Sequence, residues 1–141
     1  MTYVPANLRR EVIERSGNCC EYCLLSQNDY PFTFHIEHII AEKHKGKTVS
    51  GNLALSCPTC NTFKGSDIGS MDDENADEIT PLYHPRKHLW SDHFRLDGAI
   101  IESLTAIGRV SVFLLQLNES ERIKHRRLLI RTSRYPCQKE S

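Results

Sequence analysis

The sequence predicts an α+β protein: a small strand, strand, helix unit stapled by four cysteines, followed by a C-terminal helical extension. Three observations predict it. Two Cys-x-x-Cys pairs, Cys20 with Cys23 and Cys57 with Cys60, bracket residues of strand character and open onto a short helix. Residues 31–40 are rich in Phe, Thr and Ile, and residues 52–56 read as their partner across a polar turn. Beyond an acidic stretch, the apolar run 110–117 and the arginine-rich run 119–131 both have helical patterns.

Each element has a local reason. Residues 5–16 place Leu8, Val12 and Ile13 on one side of a helix, with arginines and glutamates on the other, and Gly17 is positioned to stop it. Residues 42–51 are polar and turn the chain between the two strands. Residues 58–63 form a short helix ending near Gly65. Residues 69–81 collect Asp72, Asp73, Glu74, Asp77 and Glu78 and are expected to be a linker. Asp97 and Gly98 sit between residues 90–96 and 99–103 as the turn of a hairpin. Residues 105–117 read as a buried helix. Asn118 is the expected N-cap of the last helix, with Glu121 completing a box-like start and Leu117, Ile123, Leu128 and Leu129 facing the core.

Length and composition bound the answer. A chain of 141 residues is enough for one domain (1–141), with a core at about 10–68, the linker at 69–81 and the extension at 82–141. With 39% apolar and 26% charged residues the chain lies outside the regime of disorder. The run 110–117, broken by Ser111 and Gln116, is far short of the roughly 20 residues that cross a bilayer, so no membrane span is expected. The first sixteen residues have no apolar signal region, which points to a cytoplasmic protein. The formal net charge is zero, yet Arg122, Lys124, Arg126, Arg127, Arg131 and Arg134 crowd the tail, so a neutral total can hide a basic face. The plain alternative is a solvated helix surface.

In a reducing compartment, matched cysteine pairs point to metal rather than disulfides. Four thiolates supplied by two pairs 33 residues apart satisfy tetrahedral zinc with no open position, which makes it structural. A redox site needs only one pair. Cys19 would give the wrong spacing and is expected to pack, and Cys137 to be free.

Between the pairs stands Ile36-Glu37-His38-Ile39-Ile40, then Asn52-Leu53-Ala54-Leu55-Ser56, and past the second pair Asn61-Thr62-Phe63-Lys64. In this order the motifs resemble the HNH endonuclease family, over roughly residues 10–68, whose ββα-metal fold matches strand, strand, helix. Residues 81–131, with His-Pro-Arg and Trp-x-x-His-Phe, resemble the extension of a bacterial subgroup. The resemblance implies hydrolysis of DNA phosphodiester bonds with His38 as general base and Asn52 orienting it. It also implies a divalent ion on Glu37 and Asn61, and 5′ phosphate and 3′ hydroxyl ends. Asn61 stands where the family often has histidine. A carboxylate and an amide are hard oxygen donors, which suit Mg²⁺ or Mn²⁺ better than zinc or nickel.

Each residue has a plainer reading. Asn52 follows Gly51 and can be a turn residue. Lys64 can reach phosphate or cap its helix C-terminus. Lys45 and Lys47, with Lys43 and His44, either approach nucleic acid or belong to a solvated loop. His35, three residues before His38 on a strand, is read as structural. Among His84, Arg86, His88, Trp90 and His93, Leu89 and Trp90 are expected in the core, while Arg86 pairs with the acidic linker or a phosphate. DNA is the expected partner, with a second protein as a source of target specificity. The competing functions are a non-catalytic zinc-knuckle module that binds nucleic acid and an oligomerising protein built on residues 110–117.

Overall fold

The computed structural model describes residues 3–139; the ends of the 1–141 span, residues 1–2 and 140–141, lie outside the described residues. Helix α1 (Ala6–Ser16) buries Val12 and ends at Gly17, whose φ of 63° is the left-handed conformation a C-terminal glycine supplies. Ile13, expected inside, is exposed. Strands β1 (His35–His38) and β2 (Leu53–Ser56) pair antiparallel, with His38 opposite Leu53 and His35 opposite Ser56, and helix α2 (Pro58–Lys64) follows at once. Strand, strand, helix therefore stands in the predicted order, with β1 shorter than residues 31–40.

Beyond α2 the structure departs from expectation. The acidic residues 69–81 are not a linker but a hairpin of β3 (Gly69–Asp72) and β4 (Asn75–Pro81). The reason is Arg109: it holds the buried Asp72 by two hydrogen bonds of 2.9 Å, so one acid of the run is drawn inward and fixes the hairpin against the rest. A one-turn helix α3 (Trp90–His93) leads into the hairpin the sequence predicts, β5 (Phe94–Asp97) and β6 (Ile100–Ser103), which turns at Gly98 and Ala99 rather than at Asp97 and Gly98. The extension thus carries two hairpins beside its helices.

Helix α4 (Ala106–Leu114) is capped by Thr105, whose hydroxyl accepts from the Gly108 amide, and α5 (Ser120–Arg131) is capped by Glu119 rather than Asn118. Asn118 is engaged elsewhere. Its side chain accepts from the Ile101 amide at 2.9 Å and donates to the Ile101 carbonyl at 2.8 Å, extending the edge of β6. Leu117 and Leu129 are buried as predicted, but Leu128 points to solvent, because Arg126 occupies the inward face. That guanidinium donates to the carbonyls of Ala99 and Leu117 at 2.7 and 2.8 Å, so its charge is hydrogen-bonded where it is buried. Two residues of the supposed basic face, Arg122 and Arg126, are therefore structural. The buried apolar cluster runs from Val12, Leu53 and Leu55 through Tyr83 and Phe94 to Leu115, Leu117 and Leu129. No helix among the described residues is long and apolar enough to cross a membrane.

Candidate active site and zinc centre

The chain turns after α1 through Cys20 and Cys23, and β2 delivers Cys57 and Cys60 to the same point. The four sulfurs lie within 4.8 Å of one another and all four residues are buried. Cys57 sits at the N-cap of α2, its sulfur accepting from the Cys60 amide, with Pro58 in the first turn where a missing N–H costs nothing. Burial holds the Cys20 and Cys60 thiols well above their ordinary range, while hydrogen bonds, that from Cys20 first, pull Cys23 well below it. The donor chemistry and the closed geometry fit structural zinc, which would take all four as thiolates.

The surroundings of this centre come from the far end of the chain. Arg122 on α5 donates to the Cys60 sulfur at 2.9 Å. Burial opposes its charge, but the cysteine sulfurs, Cys60 first, outweigh that and hold the guanidinium above its ordinary range. Tyr135 donates its hydroxyl to the Cys23 carbonyl at 2.6 Å, and Trp90 its indole N–H to the Tyr22 carbonyl at 2.8 Å. Arg86 pairs with Glu21, not with the acidic stretch or the surface. Leu89, expected in the core, is exposed. Cys19 and Cys137, expected as a packing residue and a free thiol, are joined as a disulfide with their Cα atoms 5.8 Å apart. The Cys137 amide also bonds the Leu24 carbonyl, so the tail is laid on the knuckle by backbone as well as by sulfur.

His38 ends β1 with its ring half-buried. Its Nε2 lies 2.8 Å from the Thr48 hydroxyl, and the side chain lines a cavity of about 370 Å³ shared with Arg9, His35 and Glu42. His35, read as structural, opens onto the same cavity. Thr48 reaches the ring because the turn after β1 folds back on itself. Asn52 makes that fold: its oxygen accepts from the Ile40 amide at 2.9 Å, and its nitrogen donates to the carbonyls of Ile40 and Lys47, both at 2.9 Å. Asn52 thus touches the backbone on either side of the loop, and Thr48 touches the imidazole. Gly46 completes the turn. A Cβ there would stand 1.7 Å from the Ile40 carbonyl oxygen, so no other residue fits without moving the loop. Lys45 and Lys47 are exposed on this loop.

Glu37 faces the other way. Its carboxylate is buried, accepting from the Tyr22 hydroxyl and pairing with the Lys64 ammonium at 3.4 Å. Burial raises its pKa, with Lys64 the largest opposing influence. Lys64, expected at phosphate or at a helix end, is buried instead, donating to the carbonyls of His38 at 3.3 Å and Ile39 at 2.9 Å. Asn61, half-buried, stands one turn before Lys64 on α2. As placed, the Glu37 carboxylate is engaged by Tyr22 and Lys64, so it could hold a divalent ion together with Asn61 only once the pair with Lys64 opens. Among the described residues the four cysteines are the one group able to hold a metal by at least three Cys, His, Asp or Glu side chains.

Sequence reasoning passed over Thr48 and Gly46, and read Arg122 only as one cation of a basic tail. A glycine inside a run of cations, Lys43-His44-Lys45-Gly46-Lys47, is a signal for close backbone approach. Nothing in the spacing of Thr48 or Arg122 marks them.

Comparison with known proteins agrees with this architecture. Residues 20–67 match the family model described as HNH endonuclease. The chain is 24% identical over 127 residues to the Septu protein PtuB of Bacillus thuringiensis, an alignment covering 89% of this chain and 46% of that protein. The chain therefore spans about half the length of this curated relative. No solved structure matches it. Motif order, the strand, strand, helix unit and the clustered cysteines agree with that match, so residues 20–67 are similar in both sequence and architecture to an HNH endonuclease domain.

Proposed function

We propose that the protein is a DNA endonuclease that hydrolyses phosphodiester bonds, with His38 as general base. The observation that carries this reading is the setting of His38. It stands at a strand end beside an open cavity, its Nε2 engaged by Thr48 and its loop fixed by Asn52. In the tautomer that carries the proton on Nε2, the ring donates to the Thr48 oxygen and leaves the Nδ1 lone pair for a water. The Nδ1 lone pair takes a proton from that water as its oxygen attacks phosphorus, and the bond from phosphorus to the 3′ oxygen breaks, the 3′ oxygen leaving to take a proton from solvent and the phosphate staying on the 5′ end. Arg9 on the cavity wall and Lys45 and Lys47 on the adjacent loop offer cations to the phosphates on either side. DNA is the proposed substrate, and a protein partner the proposed source of target choice, since phosphate contacts alone position without reading sequence.

The Mg²⁺ or Mn²⁺ we propose on Glu37 and Asn61 would supply a Lewis acid at the phosphate. For Glu37 to serve it, the pair with Lys64 has to open, and no step above depends on that ion. The closed Glu37 carboxylate favours the second reading, a zinc-knuckle module that holds nucleic acid without cutting it. The two separate in one experiment. The zinc-loaded protein is incubated with supercoiled plasmid and Mg²⁺ or Mn²⁺, with and without EDTA, and the ends are mapped. Nicking that needs the added ion and leaves 5′ phosphates is expected; retarded but uncut plasmid in every lane supports the binding module.

A further inference from the structure

A second cavity lies on the Lys64 side of β1, where the domain meets the extension. It measures about 330 Å³, within the range of small-molecule sites. Ile39 and Ile40, the residues that follow His38, line it together with Ile68, Pro81 and Leu82. Lys64, Tyr83, His84, Lys87 and His88 add polar groups to the same lining.

The two imidazoles are set in advance. The His84 Nδ1 accepts from the Arg86 amide at 3.2 Å, and the His88 Nδ1 accepts from the His84 amide at 2.9 Å. With Nδ1 an acceptor in each ring, the neutral form carries its proton on Nε2, so both rings have a remaining donor and no remaining acceptor. Burial first, then the charges of Lys87 and neighbouring histidines, lowers the pKa of His84 and His88. Lys64 adds to this at His84, and of the two ammonium groups on the lining Lys64 is paired with Glu37 while Lys87 is exposed. Among the described residues Asp67 is the one carboxylate on the lining, and it is exposed. Aliphatic side chains, two imidazole donors and an exposed lysine on one lining suit a planar, weakly polar group carrying a phosphate.

We propose that this cavity takes one unpaired nucleotide of the DNA strand next to the cleaved bond. Its base lies between the isoleucines and Leu82, and its phosphate meets Lys87 and His84. A cavity of about 330 Å³ has room for one nucleotide and not for a base pair, so the substrate favoured is one with a single-stranded or flipped residue. The inference rests on the nuclease reading for the words "cleaved bond", while the site itself, Lys64 excepted, is built from residues that reading does not use.

The test uses the zinc-loaded full chain carrying His38→Ala, so that binding is read without cleavage. Fluorescence anisotropy compares a paired duplex with the same duplex carrying one unpaired nucleotide; deoxyadenosine monophosphate and inorganic phosphate are offered separately as competitors. The expected result is about tenfold tighter binding to the duplex with the unpaired nucleotide. Lys87→Ala should reduce that preference, and Ile68→Trp, a surface substitution that fills the slot, should remove it while the far-ultraviolet circular dichroism is unchanged. Equal affinity for the two duplexes, or a preference untouched by both substitutions, overturns the proposal. So does saturation by the free monophosphate with no preference between duplexes, which would make the ligand a soluble nucleotide. If the plasmid assay fails but the preference and its loss are seen, the nucleotide site stands and the nuclease reading falls; the reverse pattern separates them the other way.

Discussion

Around the four cysteines the chain is short of regular structure, with two strands of four residues and a seven-residue helix, and is held by a metal-ready cluster. Beyond Gly69 two further hairpins and two longer helices bury Phe94, Ile101, Leu115 and Leu117 without any such cluster. The halves are not independent for all that. The hydrogen bonds of Arg122 to Cys60, Tyr135 to Cys23 and Trp90 to Tyr22 run from the second half to the first. The proposed chemistry thus sits in the small half and much of its bracing in the large one.

Removing the cluster should have the largest effect. Zinc in such sites contributes on the order of 10 kcal/mol to folding, so Cys57→Ser, or exhaustive chelation, should abolish the cooperative thermal transition of residues 20–67. Circular dichroism with a zinc assay checks this, and an undiminished transition in zinc-free protein would erase the contrast between the halves. Next comes the loop that presents His38. Gly46→Ala pushes it away from Ile40 and moves Thr48 with it, so nicking should fall by about 100-fold with zinc content unchanged. Bracing from the extension comes third: Arg122→Met should weaken zinc retention about tenfold in a competition titration, as loss of a group beside metal ligands commonly does. Tyr135→Phe removes one buried hydrogen bond to the Cys23 carbonyl and should cost about 1 kcal/mol in urea unfolding. The smallest effect is confined to acid. Arg109 holds the Asp72 carboxyl below the usual carboxylate range, so that pair stabilises above the ordinary carboxylate pKa and is lost as pH falls through the depressed value. Arg109→Met should therefore weaken the loss of stability between about pH 5 and pH 2, measured by urea midpoints.

The small half was legible because its signals are local. A Cys-x-x-Cys pair, a glycine after an amphipathic helix and a proline opening α2 each dictate structure within a few residues. What escaped was decided by partners distant in sequence. The acidic run 69–81 reads as a linker until Arg109, more than 30 residues on, draws Asp72 inward. Asn118 is a sound N-cap by type, but the open edge at Ile101 takes its side chain. Leu128 and Arg126 exchange places against a helical-face expectation because buried carbonyls at Ala99 and Leu117 need a donor more than the core needs another leucine. At the site, strand spacing alone does not decide whether Glu37 and His38 share a face, and the pairing of Glu37 with Lys64 depends on where α2 lands on β1. The joining of Cys19 to Cys137 across 118 residues has no local signal at all.

Everything proposed for the small half turns on His38, held by Thr48 at the end of β1, as the base of a DNA-cutting site. Plasmid nicking by His38→Ala protein, with verified zinc content and an unchanged thermal transition, is to be measured beside the parent protein in Mg²⁺ or Mn²⁺. The parent should nick and the variant should not. Equal nicking by the two would contradict the role of His38.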